Sequence, residues 1–275
     1  MAAFARQAQS SDLILFVLSG GASSLMEFLK PGISLADLQA RTKQLLSNGA
    51  DIREINRYRK SCSQIKGGGL GEMFDRAKVV CLVVSDVIGE DLSVIGSGPL
   101  YSEPNSIPHF ILGNLDTAIS AALRQAGLEA RTDPTWIFEG EARDEAMQWV
   151  RSFLESTEPA IWIGGGEPVV TIRGPGKGGR CQEFATAAAK ELEGTTGIAL
   201  LAGSTDGSDG PTPFSGGIVN GNSVQLARER GVFIDDTLAN NDSSKFLEAC
   251  DGLIETGPTQ SNVNDLYLLV RLGES

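Results

Sequence analysis

The sequence predicts an α/β protein of two lobes with largely parallel sheets. Short apolar runs alternate with amphipathic stretches of helical period, and that alternation is the pattern of βα units. Glycine-rich loops follow the apolar runs, and 33 of the 275 residues are glycine, well above the usual ~7%. The length favours one large domain or two modest ones, at roughly 100–200 residues each. Strands are expected at residues 13–18 (LILFVL), 79–84 (VVCLVV), 160–163 (AIWI), 169–172 (VVTI) and 198–202 (IALLA). An uninterrupted apolar run suits a strand covered on both faces. Helices are expected at residues 34–47, with Ser34 as N-cap, and at 115–125, 141–155, 181–192 and 223–229. Gly127 and Gly231 stand where C-caps belong. A second glycine-rich αβ series opens at residues 164–166, so the lobes are expected at residues 1–155 and 156–275.

Composition removes several classes of function. With 23 Lys and Arg against 35 Asp and Glu, the net charge is −12. Nucleic-acid binding needs a basic face, and an anionic membrane repels such a chain. The four cysteines, Cys62, Cys81, Cys181 and Cys250, are too far apart for a CxxC clip, and His109 is the single imidazole. Zinc is therefore nearly excluded. The longest apolar run has six residues, where a membrane helix needs about twenty. No secretory signal is recognisable, so a cytoplasmic protein with four reduced thiols is expected.

Four loops follow apolar runs and carry the chemistry. The first, Ser19, Gly20, Gly21, Ala22, Ser23 and Ser24, offers backbone amides and hydroxyls where ligands bind in open α/β sheets. The second runs from Ser85 to Asp91 and holds Asp86, Glu90 and Asp91, oxygen donors of the kind that Mg²⁺ takes. The third is Gly174-Pro175-Gly176-Lys177-Gly178-Gly179-Arg180. It formally matches G-x-G-x-x-G, but Lys177 and Arg180 and the lack of an acidic residue some 20 positions on argue against a dinucleotide. Two cations on a loop opening a helix suit a polyphosphate instead. The fourth, residues 203–211, presents Asp206 and Asp209 among three hydroxyls. A cationic face is also expected within residues 51–66, where Asn56, Arg59, Lys60 and Lys66 recur at helical spacing. Tight turns, caps and solvated faces would account for each feature singly.

Longer motifs carry a resemblance. LSGGASSL (residues 18–25), SNGADIREINRYRKSCSQIKGGGL (47–70) and VVSDVIGEDLSVIGSGP (83–99) resemble the N-terminal domain of glycerate 2-kinases of the MOFRL type. GGGEPVVTIRGPGKGGRCQEFA (164–185), LLAGSTDGSDGPT (200–212), LANNDSSKFLE (238–248) and TGPTQSNVNDL (256–266) resemble their MOFRL domain. The resemblance implies a Rossmann-like first lobe, shortened here, and a MOFRL α/β second lobe. It implies ATP- and Mg²⁺-dependent phosphorylation of D-glycerate to 2-phosphoglycerate in a cleft between them. Arg180 and Lys177 would be catalytic. Gly174, Gly176, Gly178, Gly179, Ser19, Gly20, Gly21, Ser23 and Ser24 would hold ATP and its phosphates. Asn56, Arg59, Lys60 and Lys66 would grip the substrate, and Asp206, Asp209 and Asp86 would meet the metal.

Two departures from the family pattern stand out. Ser61 occupies a position where His is usual, and the opening βα unit with its glycine-and-lysine motif has no counterpart. A catalytically impaired fragment that needs the absent segment is therefore an alternative, with a homodimer or a companion chain as partner. An NAD(P)-dependent hydroxypyruvate reductase, a name often given to this family, is another.

Overall fold

The computed structural model describes residues 1–50, 52–74, 76–102, 107–127, 130–156 and 160–271. The chain divides into two compact units, Met1–Gly113 and Asn114–Ser275. In the first, α1 (Ala2–Gln7) leads to β1 (Leu13–Leu18), followed by α2 (Ala22–Leu25), α3 (Leu35–Ser47), α4 (Ile52–Cys62) and α5 (Gly69–Met73). Strands β2 (Lys78–Val84) and β3 (His109–Gly113) complete it. Ser34 caps α3 through a reciprocal box, its Oγ accepting from the Asp37 amide (3.1 Å) while Asp37 Oδ2 accepts from the Ser34 amide (3.0 Å).

The first sheet is parallel, in the order β1-β2-β3. One of its faces packs on a core that includes Leu18, Ile65, Leu70, Cys81, Val83 and Ile95. The other is bare. Leu13, Leu15 and Val17 are 63%, 61% and 69% exposed, so LILFVL is covered on one face, not on two as its unbroken apolarity suggests. Register places Val80, Leu82 and Phe110 beside these residues.

The second unit opens with α6 (Leu115–Ala126), β4 (Ala130–Arg131), β5 (Ile137–Phe138), α7 (Ala142–Glu155) and β6 (Ala160–Gly166). Those from α6 to α7 precede residue 156 and belong to the second unit. There follow α8 (Arg180–Leu192), β7 (Ile198–Ser204), β8 (Gly216–Asn220), α9 (Ser223–Glu229), α10 (Ile234–Ala239) and α11 (Ser243–Ala249). Strands β9 (Leu253–Ile254) and β10 (Asp265–Arg271) close the chain. The seven-stranded sheet runs β4-β6-β10-β7-β8-β9, with β5 also on β6.

This sheet corrects the expectation of largely parallel pairing. Only β4 and β5 lie parallel to β6; the β6–β10, β10–β7, β7–β8 and β8–β9 pairs are antiparallel. Two of these pairs come from β10, which arrives last and inserts between β6 and β7 against the direction of both. Its alternation splits two faces: Tyr267 and Leu269 join the main core, Leu266 and Leu268 the smaller one under α6. The main core is aromatic, with the Phe184 ring tilted against its neighbours, its centroid 4.2 Å from that of Tyr267 and 5.3 Å from that of Phe138. Helix α8 is buried nearly all round, which its run of small residues, Ala185 to Ala189, allows.

Residues 169–172 are no strand. They make one bridge, Val169 with Glu141, and Val169 and Ile172 are exposed. The Thr171 amide, a potential ladder donor, goes to the Glu141 carboxylate instead (3.1 and 3.2 Å). Among the described residues, no helix is long and apolar enough to cross a membrane.

Candidate active site

The second unit builds its site around the start of α8. The first free amides of that helix, Cys181 (3.1 Å) and Gln182 (2.8 Å), donate to the Asp209 carboxylate, which reaches over from the 203–211 loop. A remote side chain thus supplies the cap that the helix lacks locally. Gly179 must be glycine here, because a Cβ would fall on Asp209. Burial pushes the Asp209 carboxyl up to about 6; the amides of Gln182 and Cys181 oppose that rise and the charge of Asp265 adds to it.

Arg180 is held by two acids. Its Nε and Nη2 donate to Asp265 Oδ2 (2.5 Å) and Oδ1 (3.1 Å), and Nη1 donates to Glu167 Oε1 (2.8 Å). Asp265 is fully buried and also accepts from Tyr267 Oη at 3.2 Å. Glu167 Oε2 accepts from Asn264 Nδ2 at 3.2 Å. Burial works against the charge of Arg180, but the hydrogen bonds and charges of Asp265 and Glu167 prevail and keep it protonated. Three of five guanidinium donors are engaged, which leaves two for a ligand in a fixed orientation.

Arg180, Asp206, Ser208 and Asp209 line one pocket of about 460 Å³ with Pro168 and Val169. Asp206 Oδ1 accepts from Ser204 Oγ (3.0 Å) and from the Ser208 amide (2.8 Å) and hydroxyl (3.1 Å). Three of the residues singled out in the sequence therefore meet in one place. Lys177 does not join them; it lines a separate pocket of about 370 Å³.

The glycine loop is a rigid support. The amides of Arg173 (2.6 Å) and Gly174 (3.2 Å) donate to Asn241 Oδ1, that of Gly176 to the Asn240 carbonyl (2.9 Å), and that of Lys177 to Asp242 Oδ1 (3.0 Å). The expected cradle of free amides is thus occupied from within the chain at Gly174 and Gly176. Gly178 and Gly179 lie against Ser243 and Asp209, where a Cβ would crowd them. The 240–243 segment is anchored in turn, with Ser243 Oγ donating to the buried Glu183 at 2.5 Å and Arg143 pairing with the same carboxylate.

In the first unit, Ser23 is the meeting point. Its carbonyl accepts from Arg59 Nη2 and Lys66 Nζ, both at 2.7 Å, and its Oγ pairs with Ser97 Oγ at 2.8 Å. Lys66 is buried and also pairs with Glu27 at 3.0 Å. Lys60 Nζ donates to the Ser93 carbonyl at 2.8 Å, and Ser24 Oγ to that of Gly21 at 2.9 Å. Ser19 precedes the left-handed Gly21 (φ 82°). Gly20 lies against Asp86, whose carboxyl burial pushes up while a backbone hydrogen bond opposes. The single cationic helix face is corrected in one respect: α4 ends at Cys62, so Asn56, Arg59 and Lys60 share the helix while Lys66 sits in the turn before Gly67. Asp51 lies outside the described residues. Lys60 and Lys66 both line a pocket of about 730 Å³. Among the described residues, no three His, Cys, Asp or Glu side chains are grouped to hold a metal ion.

Comparison with known proteins agrees with the motifs. Residues 1–124 match the family described as "Domain of unknown function (DUF4147)", and residues 160–265 match the MOFRL family. The D-glycerate 2-kinase of Thermotoga maritima is 38% identical, over 95% of this chain and 73% of its own. The chain belongs to the glycerate kinase family. A glycerate 2-kinase of Pyrococcus horikoshii is 31% identical over 96% of this chain and 72% of its own. A relative from Agrobacterium vitis (34% identity, 94% and 80% coverage) bears the name of a hydroxypyruvate reductase. The crystal structure of glycerate kinase from Thermotoga maritima superposes with a TM-score of 0.88 at 35% identity, covering 98% of this chain and 76% of that one.

Sequence reasoning missed the groups that hold this family member's arginine. Glu167, Asn264 and Asp265 all lie inside the quoted motifs, but none was singled out. Asp265 had one legible signal, an acid immediately ahead of the apolar run LYLLV.

Proposed function

We propose that this member of the glycerate kinase family transfers the terminal phosphoryl group of ATP to the 2-hydroxyl of D-glycerate, giving ADP and 2-phosphoglycerate. The observation that carries the reading is Arg180, fixed by Asp265 and Glu167 beside Asp206 and Asp209, in a chain 38% identical to a D-glycerate 2-kinase. Phosphoryl transfer asks a protein mainly for positioning and for donors aimed at the charge that develops on oxygen. Arg180 suits that role, because its acids hold it in place before any substrate arrives. Lys177 is the cation for the polyphosphate. Asn56 and Lys60 are assigned to the glycerate carboxylate, while Arg59 and Lys66 act through the Ser19–Ser24 loop, whose Ser23 carbonyl they hold.

Asp206 and Asp209 fit a Mg²⁺ that comes with the nucleotide, since Mg²⁺ is usually bound by one or two carboxylates together with substrate phosphates. Asp209 has both carboxylate oxygens committed to amides, whereas the bonds of Asp206 fall on Oδ1, so Asp206 is the stronger donor through Oδ2. When bound, Mg²⁺ would offset phosphate charge. Hydride transfer has less support, because residues 169–172 form no strand ahead of the loop and the amides of Gly174 and Gly176 are engaged.

The test is the purified chain with D-glycerate, ATP and Mg²⁺, scoring ADP release and the position of the new phosphate. Substrate-dependent 2-phosphoglycerate is expected, and Arg180→Ala should lower turnover at least ~100-fold. A folded chain that makes no product, or that oxidises NAD(P)H at 340 nm with hydroxypyruvate, overturns the reading.

A further inference from the structure

The pocket of about 370 Å³ on the Lys177 side of the glycine loop is not needed to explain Arg180, yet it has the chemistry of a ligand seat. Its size lies within the ~300–1,000 Å³ of small-molecule sites. Val232 and Phe233 form an apolar part; Lys177, Lys245, Asp236 and Thr237 form a polar one. Phe233 is a large apolar side chain left 55% exposed, while the neighbouring Val232 packs on the core.

Two lysines, Lys177 and Lys245, line this pocket. Neither forms an ion pair among the described residues, whereas nearby Lys190 is paired with Asp235 at 2.6 Å. Their backbones are tied to one segment: the Lys177 amide donates to Asp242 Oδ1 (3.0 Å), the Ser244 amide to the Lys177 carbonyl (3.0 Å) and the Lys245 amide to the Asp242 carbonyl (3.0 Å). The amides of Gly176 and Lys177, the loop residues of this pocket that have an N–H, are engaged, so an anion here is held by side chains, and Lys177 and Lys245 are the cations of the pocket.

We propose that this pocket seats the nucleoside triphosphate. The base stacks on Phe233 beside Val232, because every base offers a π face to an aromatic ring. Asp236 accepts from the ribose hydroxyls, as an acid does in dinucleotide sites. Lys177 and Lys245 hold the phosphates. Lys177 and Arg180 are three residues apart on the loop, a reach of at most roughly 10 Å, so a polyphosphate running along it passes from one to the other. The proposal rests on the phosphoryl-transfer reading.

The experiment measures MgATP binding by calorimetry, and the kinetics of D-glycerate phosphorylation, for the parent chain, Phe233→Ala and Lys245→Glu. Both side chains are exposed, and circular dichroism checks the fold. Each variant should bind MgATP at least tenfold more weakly and show a raised KM for ATP with an unchanged KM for D-glycerate. Variants that bind and turn over like an active parent overturn the pocket assignment and leave the kinase reading standing. A parent that neither binds ATP nor phosphorylates glycerate overturns both.

Discussion

Both units carry a glycine-rich loop, behind β1 in the first and ahead of α8 in the second, but they hold it by opposite chemistry. In the first unit, cations grip backbone carbonyls: Arg59 and Lys66 close on Ser23 and Lys60 on Ser93. In the second, acceptors grip backbone amides: Asp209, Asn241 and Asp242 take the N–H groups of residues 173, 174, 177, 181 and 182. The difference decides what is left for a ligand. Of the cations that hold the first loop, Lys66 is buried, while Lys60 still lines a pocket. Where carboxylates and amides hold it, the cations point outward, and Lys177 and two donors of Arg180 stay available. The sheets differ in the same sense. The second is covered on both faces, whereas the first leaves Leu13, Leu15 and Val17 bare.

The sharpest break of this contrast is in the cores. Phe184→Ala empties a fully buried site between Phe138, Trp149 and Tyr267 and should destabilise the second unit by about 3–5 kcal/mol, read by urea unfolding. A loss below ~1 kcal/mol would show that the aromatic cluster is less tightly packed than its geometry.

Next comes Asp209, through pH. Its folded carboxyl sits at about 6, above the ordinary 3.8, so between these values the folded state binds the extra proton. Stability from this group is complete below about pH 4 and is lost as pH rises through about 6, a change on the order of 3 kcal/mol. Asp209→Asn keeps an acceptor for the helix amides and should flatten that slope in denaturant titrations from pH 4 to 7. Parallel curves for parent and variant would mean that Asp209 does not titrate there.

The smallest effect belongs to the bare face of the first sheet. Leu15→Thr keeps a residue suited to strands and removes no buried contact, so unfolding should shift by no more than ~0.5 kcal/mol. A loss of 2 kcal/mol or more would show that this face is covered in solution, and sedimentation would then identify a self-associated state.

Much of the fold was legible. The N-cap at Ser34, the start of α6 after Asn114 and the end of α9 before Gly231 follow from local chemistry, because a cap is written within three or four residues. The candidate site was legible as loops and as residue types, while the meeting of Arg180, Asp206 and Asp209 in one pocket was not, since Arg180 and the two acids lie on separate loops of the chain. Residues 169–172 misled, since an apolar run shows that a strand could form but not whether its amides will find a partner strand. Here the Glu141 carboxylate took the Thr171 amide, and Asn241 Nδ2 donates to the Thr171 carbonyl.

By itself, then, the sequence determined the local order: where most helices start and stop, which loops bear cations and acids, and the family. Hydrophobic period and capping act over a few residues, so they survive without knowledge of the fold. The tertiary structure alone decided strand direction in the second sheet, because β10 pairs with strands about 100 and 65 residues earlier. It also decided which charges are free. The partners of Arg180 and Lys66 stand 85 and 43 residues away in the chain, at Asp265 and Ser23. An ion pair falls off steeply with distance in space and takes no account of distance along the chain.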